Sequence, residues 1–337
     1  MFDKILNHCR EGCRKKPSRV AFASGPDGRV LRTARRLKQA GLADPILIGN
    51  KSELRDFAAR AGVNLTGIKI RQPRHDPQFD HRVRALFDRR KGKGLVRSEA
   101  EALLSDPLWY GCDFLLRDQA DLLMTGTRTA IKGVLQAALR VIGPQKEDVP
   151  VSGFYLLVSP DGERVLAFAD CCVNPRPEPE QLAAIAVETS RAFRHMTGLE
   201  PKTALLSFST LGSAQHDLAE RVQAAVALVQ KQKPGFTVEG EFQFDAAIVP
   251  QVAAKKAPHS SLQGEANVLI FPSLNAANIG YKIARDLAGW RTYGPFYTGF
   301  RKAVHGLPPA GDDETFLVTT LLACCLLERN GLNLSHS

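Results

Sequence analysis

Three short turns rich in Ser, Thr, Asn and Gly follow apolar runs, and each carries groups that can hold an oxyanion. They are Thr125-Gly126-Thr127-Arg128-Thr129, Ser209-Thr210-Leu211-Gly212-Ser213 and the segment from Ser273 to Asn278. Small hydroxyl residues and glycine let a phosphate or an acyl oxygen approach backbone N–H groups without steric hindrance. One such turn is weak evidence, because the same residue types form ordinary caps and turns. Three of them at equivalent strand ends predict a shared cleft.

The third turn lies inside a run that predicts a complete strand-loop-helix-strand unit, VLIFPSLNAANIGYKIARDLAGWRTYGPFYTG from Val268 to Gly299. A short apolar strand ends at Pro272, and Asn275 is placed to cap the helix that follows. Three apolar residues then recur at helical spacing: Ile279, Ile283 and Leu287. A helix that starts at the carboxyl edge of a sheet presents unpaired N–H groups, which bind anions and phosphorylated ligands.

Strand and helix patterns alternate along the whole chain, which predicts an α/β fold with mainly parallel sheets. At 337 residues the chain is long enough for two domains. A polar segment from Gly143 to Pro150 predicts the boundary between them. A hairpin follows, with strands over 153–158 and 164–169 joined by the turn Ser159-Pro160-Asp161-Gly162.

The other elements are predicted from the same periodicities. Strands are expected over 19–23, 45–48, 121–124, 204–207 and 238–244, and helices over 30–40, 52–61, 81–88, 98–120 with a break near Asp106-Pro107, 131–141, 180–195, 218–230 and 315–327.

The net charge of +10 is unevenly distributed. Residues 1–150 hold 29 Lys and Arg against 17 Asp and Glu, whereas the remaining residues hold 16 against 18. Such a field attracts nucleic acid, an anionic membrane or a polyphosphorylated small molecule. Basic runs such as Arg89 to Gly94 lack interleaved aromatic residues, which argues against nucleic-acid binding. No apolar stretch is long enough to cross a bilayer, so a cytoplasmic protein without membrane association is expected.

Seven cysteines include two adjacent pairs and no C-x-x-C spacing, which indicates a reducing compartment. Cys324 and Cys325 lie in an apolar helical run and are expected to be core residues. His305 has no partner nearby in sequence, so a structural role is expected. Neither His nor Cys residues form a metal-binding pattern, and no metal or other cofactor is expected.

With these segments defined, the chain resembles the phosphate acetyltransferase family, which includes the phosphotransacetylases and phosphotransbutyrylases. The similar stretches are RVLRTARRLKQAGLADPILIGN at 29–50, FADCCVNPRPEPEQLAAIA at 168–186, ALLSFSTLGS at 204–213, GEFQFDAAIVPQVAAKKAP at 240–258 and VLIFPSLNAANIGYKIARDLAG at 268–289. The resemblance implies two α/β/α domains, 1–150 plus 301–337 and 151–300, with an interdomain cleft. It also implies a homodimer that moves an acyl group between phosphate and coenzyme A without a cofactor.

The resemblance implies a set of site residues as well. Arg90 matches an arginine of the family's substrate cleft, and the polar turns supply the other substrate-binding candidates: Thr125, Gly126, Thr127, Arg128, Ser209, Thr210, Gly212, Ser213, Asn275 and Asn278. Asp312, Asp313 and Glu314 are the candidates for the base that takes the thiol proton.

The chain departs from the family pattern in several places, including Thr315 at an aspartate position, Ser24 at a common glutamate and the turn at 125–129. Pro308 and Pro309 occupy the positions of a substrate-binding serine and arginine, and Gln136 replaces another arginine. Arg128 or Lys132 can supply a replacement charge. Two hypotheses follow: an acyltransferase acting on an acetyl or short acyl group, or a non-catalytic regulatory protein that binds acyl coenzyme A after losing the Ser-Arg pair.

Overall fold

The computed structural model describes residues 1–127 and 129–327. The chain divides into two compact units. The terminal unit comprises Leu6–Gln145 and Phe300–Ser337, and the central unit comprises Met1–Ile5 and Lys146–Gly299. Each unit is described separately below.

The terminal unit contains five strands in the order β3-β2-β1-β4-β11. Their bounds are β1 Ser18–Phe22, β2 Ala43–Ile48, β3 Lys69–Arg71, β4 Leu122–Thr125 and β11 Ala303–Gly306. Every pairing within this set is parallel. The strands predicted over 19–23, 45–48 and 121–124 are therefore present as β1, β2 and β4, whereas β3 and β11 lie outside the predicted list.

Among the described residues, the terminal unit carries seven α-helices that follow its strands in the chain. They are α2 Gly28–Gln39, α3 Lys51–Arg60, α4 Phe79–Arg90, α5 Arg97–Ser105, α6 Pro107–Leu116, α7 Ile131–Val141 and α13 Asp313–Cys325; α1, Phe2–Lys15, carries residues of both units. The predicted break near Asp106-Pro107 is confirmed. Asp106 accepts hydrogen bonds from the N–H groups of Leu108 (2.8 Å) and Trp109 (3.3 Å), and Pro107 takes the first helical position, where no N–H is needed.

The central unit contains six strands in the order β10-β5-β6-β9-β7-β8. Their bounds are β5 Ser152–Val158, β6 Val165–Ala169, β7 Lys202–Leu206, β8 Thr237–Phe242, β9 Val268–Ile270 and β10 Arg291–Thr298. β6, β9, β7 and β8 pair in parallel, whereas β5 pairs antiparallel with both β6 and β10. The predicted hairpin is thus confirmed, and the fold is α/β with mainly parallel pairing.

The helices of the central unit are α8 Pro179–Thr197, α9 Asp217–Gln232, α10 Phe244–Ile248, α11 Pro250–Lys256 and α12 Leu274–Asp286. The expectation that Asn275 caps α12 is wrong. Ser273 has the extended backbone of a cap, and its hydroxyl accepts from the N–H of Ala276 at 3.3 Å. Asn275 lies one residue inside the helix, because the chain turns directly after Pro272.

α12 packs through a different face from the one that carries its large aliphatic residues. Ala277 and Tyr281 are buried, whereas Ile279, Ile283 and Leu287 are 58%, 52% and 84% exposed. Spacing by four residues places these three side chains on one side of the helix. Throughout the described ranges, we find no helix with the length and apolar character needed to span a membrane.

A buried ion network joins α4 to α6 in the terminal unit. The Arg82 guanidinium is fully buried and donates to Asp113 Oδ2 at 2.7 Å and to Asp76 Oδ2 at 2.7 Å. Arg117 donates to the same Asp113 oxygen at 2.8 Å. Because both Arg82 and Asp113 are removed from water, each needs the other to stay charged in the core.

Asp113→Ala is expected to lower the free energy of unfolding by about 3–5 kcal/mol, since it leaves Arg82 buried without its main counter-ion. Urea unfolding of the variant and of the wild type measures the change in the free energy of unfolding. Asp56→Ala, which removes an exposed carboxylate on α3, is the matched control and is expected to have little effect. Equal losses in the two variants would contradict this interpretation of the network.

Candidate active site

Parallel pairing brings three loops of the terminal unit to one edge of its sheet. β1 and β11 both pair with β4, with Phe22 beside Met124 and Gly306 beside Thr125. The loops that leave these strands are 23–27, 125–130 and 307–312, and we call them together the terminal edge. The carboxyl ends of parallel strands are the usual ligand-binding side of α/β folds.

The turn that begins at Thr125, which we call the polar turn, is fixed at its first residues by contacts with the two neighbouring loops. Thr125 is fully buried and donates its hydroxyl to the carbonyl of Ala23 at 3.0 Å, and its own carbonyl accepts from the N–H of Leu307 at 2.7 Å. Gly126 follows with φ +104°, a conformation that a side chain disfavours. Thr125 and Gly126 therefore shape the turn, and Thr127 and Thr129 after them are half-buried.

Three helices start at the terminal edge, and two of them are capped by carboxylates. Asp27 accepts from the N–H of Arg29 at 2.9 Å at the start of α2, and Asp312 accepts from that of Thr315 at 2.8 Å at the start of α13. Ala130 precedes α7 and offers no side-chain cap. The first N–H groups of α7 are therefore the best placed to bind an anion.

One described positive side chain accompanies the start of α7. Lys132 lies in its first turn and is exposed. Arg128, the other candidate for a replacement charge, lies outside the described residues. Thr127 lies close enough to Asp27 for its hydroxyl to help lower the pKa of that carboxyl. Thus the polar turn and the start of α7 combine hydroxyl, amide and ammonium donors.

Arg29 connects the first and third loops of the terminal edge. Its guanidinium donates to the carbonyls of Pro309 and Gly311, both at 2.7 Å, and to Asp27 at 2.8 Å. It also lies 4.5 Å from the centre of the Phe316 ring, within cation–π range. Burial acts to raise the pKa of Asp27, but the hydrogen bonds from Arg29 outweigh it, so the pKa is lowered and the pair is ionic. Arg29 therefore holds the proline-containing loop in place.

The three candidate base residues have structural partners at the start of α13. Asp312 is the cap, and hydrogen bonds from the Thr315 hydroxyl and N–H lower the pKa of its carboxyl. Asp313 pairs with Arg32 at 2.6 Å, and Glu314 pairs with Arg36 at 2.8 Å. The structure thus gives each carboxylate a helix-anchoring role, and a base role for any of them stays a prediction.

Arg90 lies at the other end of α7. It donates to the carbonyl of Arg140 at 2.7 Å and to that of Leu139 at 3.1 Å, while the adjacent Arg89 donates to the carbonyl of Val141 at 3.0 Å. With a rise of 1.5 Å per residue, the helix puts about 16 Å between this end and the polar turn. The structure therefore does not bring Arg90 to the turn, and its side chain satisfies the last carbonyls of the helix.

The central unit has a corresponding edge, formed by the loops after β6, β7, β8 and β9. Ala169 and Leu205 both align with Ile270, and Leu206 aligns with Phe242, so these four strands end together. The loops are 170–175, 207–214, 243–245 and 271–275, and we call them the central edge. Two of the three predicted turns therefore lie at the same edge of one unit, and the third belongs to the other unit.

A buried carboxylate organises the first loop of the central edge. Asp170 accepts from the N–H groups of Gly153 (3.0 Å), Cys172 (2.9 Å), Val173 (3.2 Å) and Asn174 (2.8 Å). Burial raises the pKa of Asp170, and these four donors oppose the shift. The Asp170 side chain acts as the fixed centre around which the chain turns.

The Ser209 turn is built around a second buried carboxylate, Glu241. One oxygen of Glu241 accepts from the Ser209 hydroxyl at 2.7 Å and from the N–H of Gly212 at 2.8 Å. Thr210 Oγ1 accepts from the N–H of Gln243 at 2.9 Å, and Ser213 Oγ accepts from that of Thr210 at 2.9 Å. Burial acts to raise the pKa of Glu241, but the hydrogen bonds from Gly212 and Ser209 lower it overall, so the group is ionised.

This arrangement changes the chemistry expected of the turn. The Ser209 hydroxyl and the Gly212 N–H are already occupied by an anion that belongs to the protein. A phosphate group at the same donors would meet the negative charge of Glu241. The outer part of the turn, from Leu211 to Ser213, is exposed and remains accessible to a ligand. Substrate binding by Ser209, Thr210, Gly212 and Ser213 stays a prediction.

The two asparagines of α12 are placed differently. Asn278 Nδ2 donates to the carbonyl of Cys171 at 3.3 Å, which ties α12 to the loop around Asp170. Asn275 is exposed at the start of the helix. Both belong to the central edge, but only Asn275 presents its side chain to solvent.

Neither buried cysteines nor His305 supply a nucleophile or base at these edges. Burial raises the pKa of Cys171 and Cys172 well above the ordinary thiol value. His305 is 3% exposed on β11, and burial lowers its pKa to about 3. A neutral, buried His305 fits the structural role predicted for it.

Comparison with known proteins supplies the next step. A family model described as phosphate acetyl/butaryl transferase matches residues 4–324. The chain belongs to this family. The phosphate acetyltransferase of Bacillus subtilis (strain 168) is 38% identical over 303 residues, which cover 90% of this chain and 93% of that protein. The phosphate acetyltransferase of Clostridium acetobutylicum is 34% identical over 307 residues, 90% of this chain and 92% of the relative.

A solved structure agrees with the sequence comparison. A phosphotransacetylase from Streptococcus pyogenes superposes with a TM-score of 0.91 at 32% identity, covering 98% of this chain and 99% of that one. The family resemblance seen in five stretches of sequence is therefore confirmed over almost the whole chain.

Sequence reasoning missed the residues that hold the site of this family member together. Asp170 carries a local signal, since Asp directly after a strand commonly binds N–H groups two to four residues ahead. Glu241 carries none, because its partners, Ser209 and Gly212, lie about thirty residues upstream in the chain. Asp245 pairs with Lys256 at 2.9 Å and does not touch the turn.

Glu241→Gln is expected to destabilise the Ser209 turn and to cost about 1–3 kcal/mol of unfolding free energy at neutral pH, because a charged acceptor of two hydrogen bonds is lost. The lowered pKa has a definite sign: the stabilisation is present above the ordinary value of 4.5 and is lost as the pH falls through the folded-state value. Urea unfolding at several pH values between neutral and strongly acidic measures both effects.

The control is Glu220→Gln on α9, an exposed residue. The wild type and this control are expected to lose stability together in acid, whereas Glu241→Gln loses less because part of the pH-dependent stabilisation is already gone. Parallel curves for all three proteins would show that Glu241 does not stabilise the turn as an anion.

Proposed function

We propose that this protein moves an acetyl or other short acyl group between phosphate and the thiol of coenzyme A. The observation that carries the proposal is the 38% identity to a phosphate acetyltransferase across 90% of this chain and 93% of the relative. A transferase of this class binds two anionic ligands, and the uncapped start of α7 offers the amide donors that such ligands need.

The phosphate is assigned to the terminal edge. The N–H groups at the start of α7 and the Lys132 ammonium group can surround an anion there. The two flanking helices keep their own N-termini occupied with Asp27 and Asp312. This leaves α7 as the helix whose positive end is available to a substrate.

The acyl-bearing or pantetheine part of the substrate is assigned to the central edge. Large apolar side chains surround the exposed part of the Ser209 turn: Phe208, Leu211 and Phe244 are 52%, 51% and 46% exposed. Such a surface suits a neutral organic group, whereas the Glu241 carboxylate beneath it disfavours a phosphate. Asn275 and the Ser213 hydroxyl are the polar groups placed to orient it.

The reaction itself asks little of the protein beyond positioning and charge stabilisation. Attack of a thiolate on an acyl phosphate passes through an oxyanion, which backbone N–H groups stabilise. We propose that transfer proceeds without a metal or organic cofactor, because amide and ammonium donors can stabilise the charge that develops.

The direct test follows acetyl coenzyme A formation from acetyl phosphate and coenzyme A. Turnover well above the enzyme-free rate is expected, and EDTA is expected to leave it unchanged. Turnover no greater than the enzyme-free rate would overturn the proposal. Loss of activity in EDTA, with recovery on adding a divalent cation, would overturn the cofactor-free part alone.

The same assay locates the phosphate site. Lys132→Ala is expected to raise the KM for acetyl phosphate about tenfold, since it removes one charge beside the bound anion. Lys69→Ala removes an exposed charge of the same unit at the start of β3, which is the opposite end of the parallel strands. An equal change in both variants would contradict the assignment.

We infer that the protein works as a homodimer in the cytoplasm. Seven cysteines, all present as thiols, fit a reducing compartment. The three exposed aliphatic residues of α12, Ile279, Ile283 and Leu287, form a stripe that a second copy of the chain can cover. A symmetric homodimer would bury these three side chains on both copies of the chain.

Ile279→Glu and Ile283→Glu are each expected to shift the wild-type dimer toward monomer, because a carboxylate would be buried without a partner. Light scattering after size-exclusion chromatography reads the mass against 36.8 kDa for one chain. Leu139→Glu, at an exposed leucine on α7, is the control and is expected to remain dimeric. A monomeric wild type would refute the dimer, and dimeric Glu variants would refute the α12 interface.

A further inference from the structure

A cavity of about 560 Å³ lies between α3 and the edge strand β3 of the terminal unit. We call it the α3–β3 cavity. β3 is the outermost described strand on this side of the sheet, which leaves the cavity open to solvent. Ala58 and Ala59 of α3 line it, and their short side chains leave room that larger residues would fill. The volume falls in the range of small-molecule sites.

One wall of the cavity is a loop, residues 63–66, that is held in place by hydrogen bonds. Asn64 Oδ1 accepts from the N–H of Thr66 at 2.7 Å, and the N–H of Val63 donates to the end of α3 at 2.8 Å. From α2, Arg35 donates to the carbonyl of Thr66 at 3.1 Å. Because these bonds fix the loop, the cavity has its shape before any ligand arrives, which lowers the entropic cost of binding.

Two cations and no carboxylate are among the described residues that line the cavity. Lys51 and Arg55 lie one turn apart on α3, so their charged ends can reach the same ligand group. In the described part of the chain neither of them forms an ion pair. On α2, by contrast, three cations are each paired with a carboxylate: Arg32, Arg36 and Lys38. The two α3 cations are therefore available to an anionic ligand.

The start of α3 favours a carboxylate over a phosphate group. Asn50 Oδ1 accepts from the N–H groups of Ser52 at 3.0 Å and Glu53 at 3.3 Å. The N–H of Lys51 is bound to Gln72 Oε1 at 3.3 Å. A phosphate group at a helix start binds such N–H groups, which here are occupied. The two charged side chains remain, and they match the two oxygens of one carboxylate.

The other lining residues are aliphatic or neutral. Val63, Leu65 and Ile70 are half-buried around the cavity, and Ile68 is buried. None of the described lining residues is aromatic, so the cavity lacks a ring on which a nucleotide base could stack. An aliphatic chain would bury apolar surface against these side chains, whereas an inorganic anion would leave that surface exposed.

We propose that the α3–β3 cavity binds a small organic acid, whose carboxylate pairs with Lys51 and Arg55. The aliphatic body of the acid packs on Val63, Leu65 and Ile70. A guanidinium binds a carboxylate through two parallel N–H donors, and the ammonium group adds a second charge. The site is independent of the acyl-transfer proposal, because none of its lining residues belongs to the loops of the terminal or central edge.

Ligand-observed NMR of the full-length protein tests the proposal, with hexanoate as the probe. Saturation transfer to hexanoate is expected to titrate with a Kd in the millimolar range or tighter, since an open cavity supplies few contacts. 1-Hexanol has the same chain without the charge and is expected to bind at least about tenfold more weakly. Hexanoate binding that does not saturate, or equal binding of hexanol, would overturn the proposal.

Inorganic phosphate separates this site from the proposed substrate site. The proposed function assigns phosphate to the terminal edge, so phosphate at constant ionic strength is expected not to displace hexanoate. Displacement of hexanoate by phosphate would show that the probe binds elsewhere and would overturn the α3–β3 site, whatever the outcome of the turnover assay.

A matched pair of variants locates the bound probe. Arg55→Ala removes one of the two cations and is expected to weaken hexanoate binding about tenfold while leaving hexanol binding unchanged. Arg14→Ala removes an exposed arginine of α1 that does not line the cavity, and it is expected to bind hexanoate like the wild type. Unchanged binding in Arg55→Ala, or equal weakening in both variants, would contradict the assignment.

A second measurement uses the wild type alone and so does not depend on the folding of a variant. Hydrogen exchange is followed by mass spectrometry with and without saturating hexanoate. The segment 63–70 is expected to exchange more slowly with hexanoate, because the ligand packs on this loop and on β3. α9, Asp217–Gln232, belongs to the other unit and is expected to be unaffected. Unchanged exchange over 63–70, or equal protection of α9, would refute the site.

Discussion

The parallel register of β1, β4 and β11 is the constraint on which the candidate phosphate site depends. Because Phe22 aligns with Met124 and Gly306 with Thr125, three loops and three helix N-termini share one edge. Asp27 and Asp312 then neutralise two of those N-termini. What distinguishes α7 from its neighbours is therefore the absence of a carboxylate at Ala130, a property of sequence that matters only because the register puts the three helices side by side.

The central unit also has a carboxyl edge formed by parallel strands, but the chemistry of that edge is different. Its carboxyl edge carries two buried acids: Asp170 accepts from four backbone N–H groups, and Glu241 accepts from the Gly212 N–H and the Ser209 hydroxyl. These acids fix the shape of their loops but add negative charge where an α/β edge usually accepts an anion. The two edges are thus chemically unlike: one offers free amide donors and an ammonium group, and the other offers a shaped, partly apolar surface.

The sequence predicted the regular elements well, because each depends on local periodicity and on caps a few residues away. The helix break at Asp106-Pro107 and the hairpin turn at 159–162 both follow from residues within one turn. The short elements β11, α10 and α11 were not predicted, since four to seven residues carry too little periodicity. The family could also be predicted from the sequence, because five long stretches resemble it. The site was less predictable: Arg29 and Glu241 act on loops about 280 and 30 residues distant, and no local pattern records such contacts.

Arg90 shows how a residue at one end of a helix can support a site proposed at the other end, while substrate binding by Arg90 itself stays a prediction. Together with Arg89 it neutralises the carbonyl end of α7, and the amides proposed to hold the substrate are at the opposite end of the same rigid rod. Removing the Arg90 contacts would displace the distant amides and weaken substrate binding, so steady-state kinetics alone would not distinguish an anchoring Arg90 from a substrate ligand. A spectroscopic probe of helix order distinguishes the two roles, because replacing an anchoring arginine changes the order of α7 even when no substrate is bound.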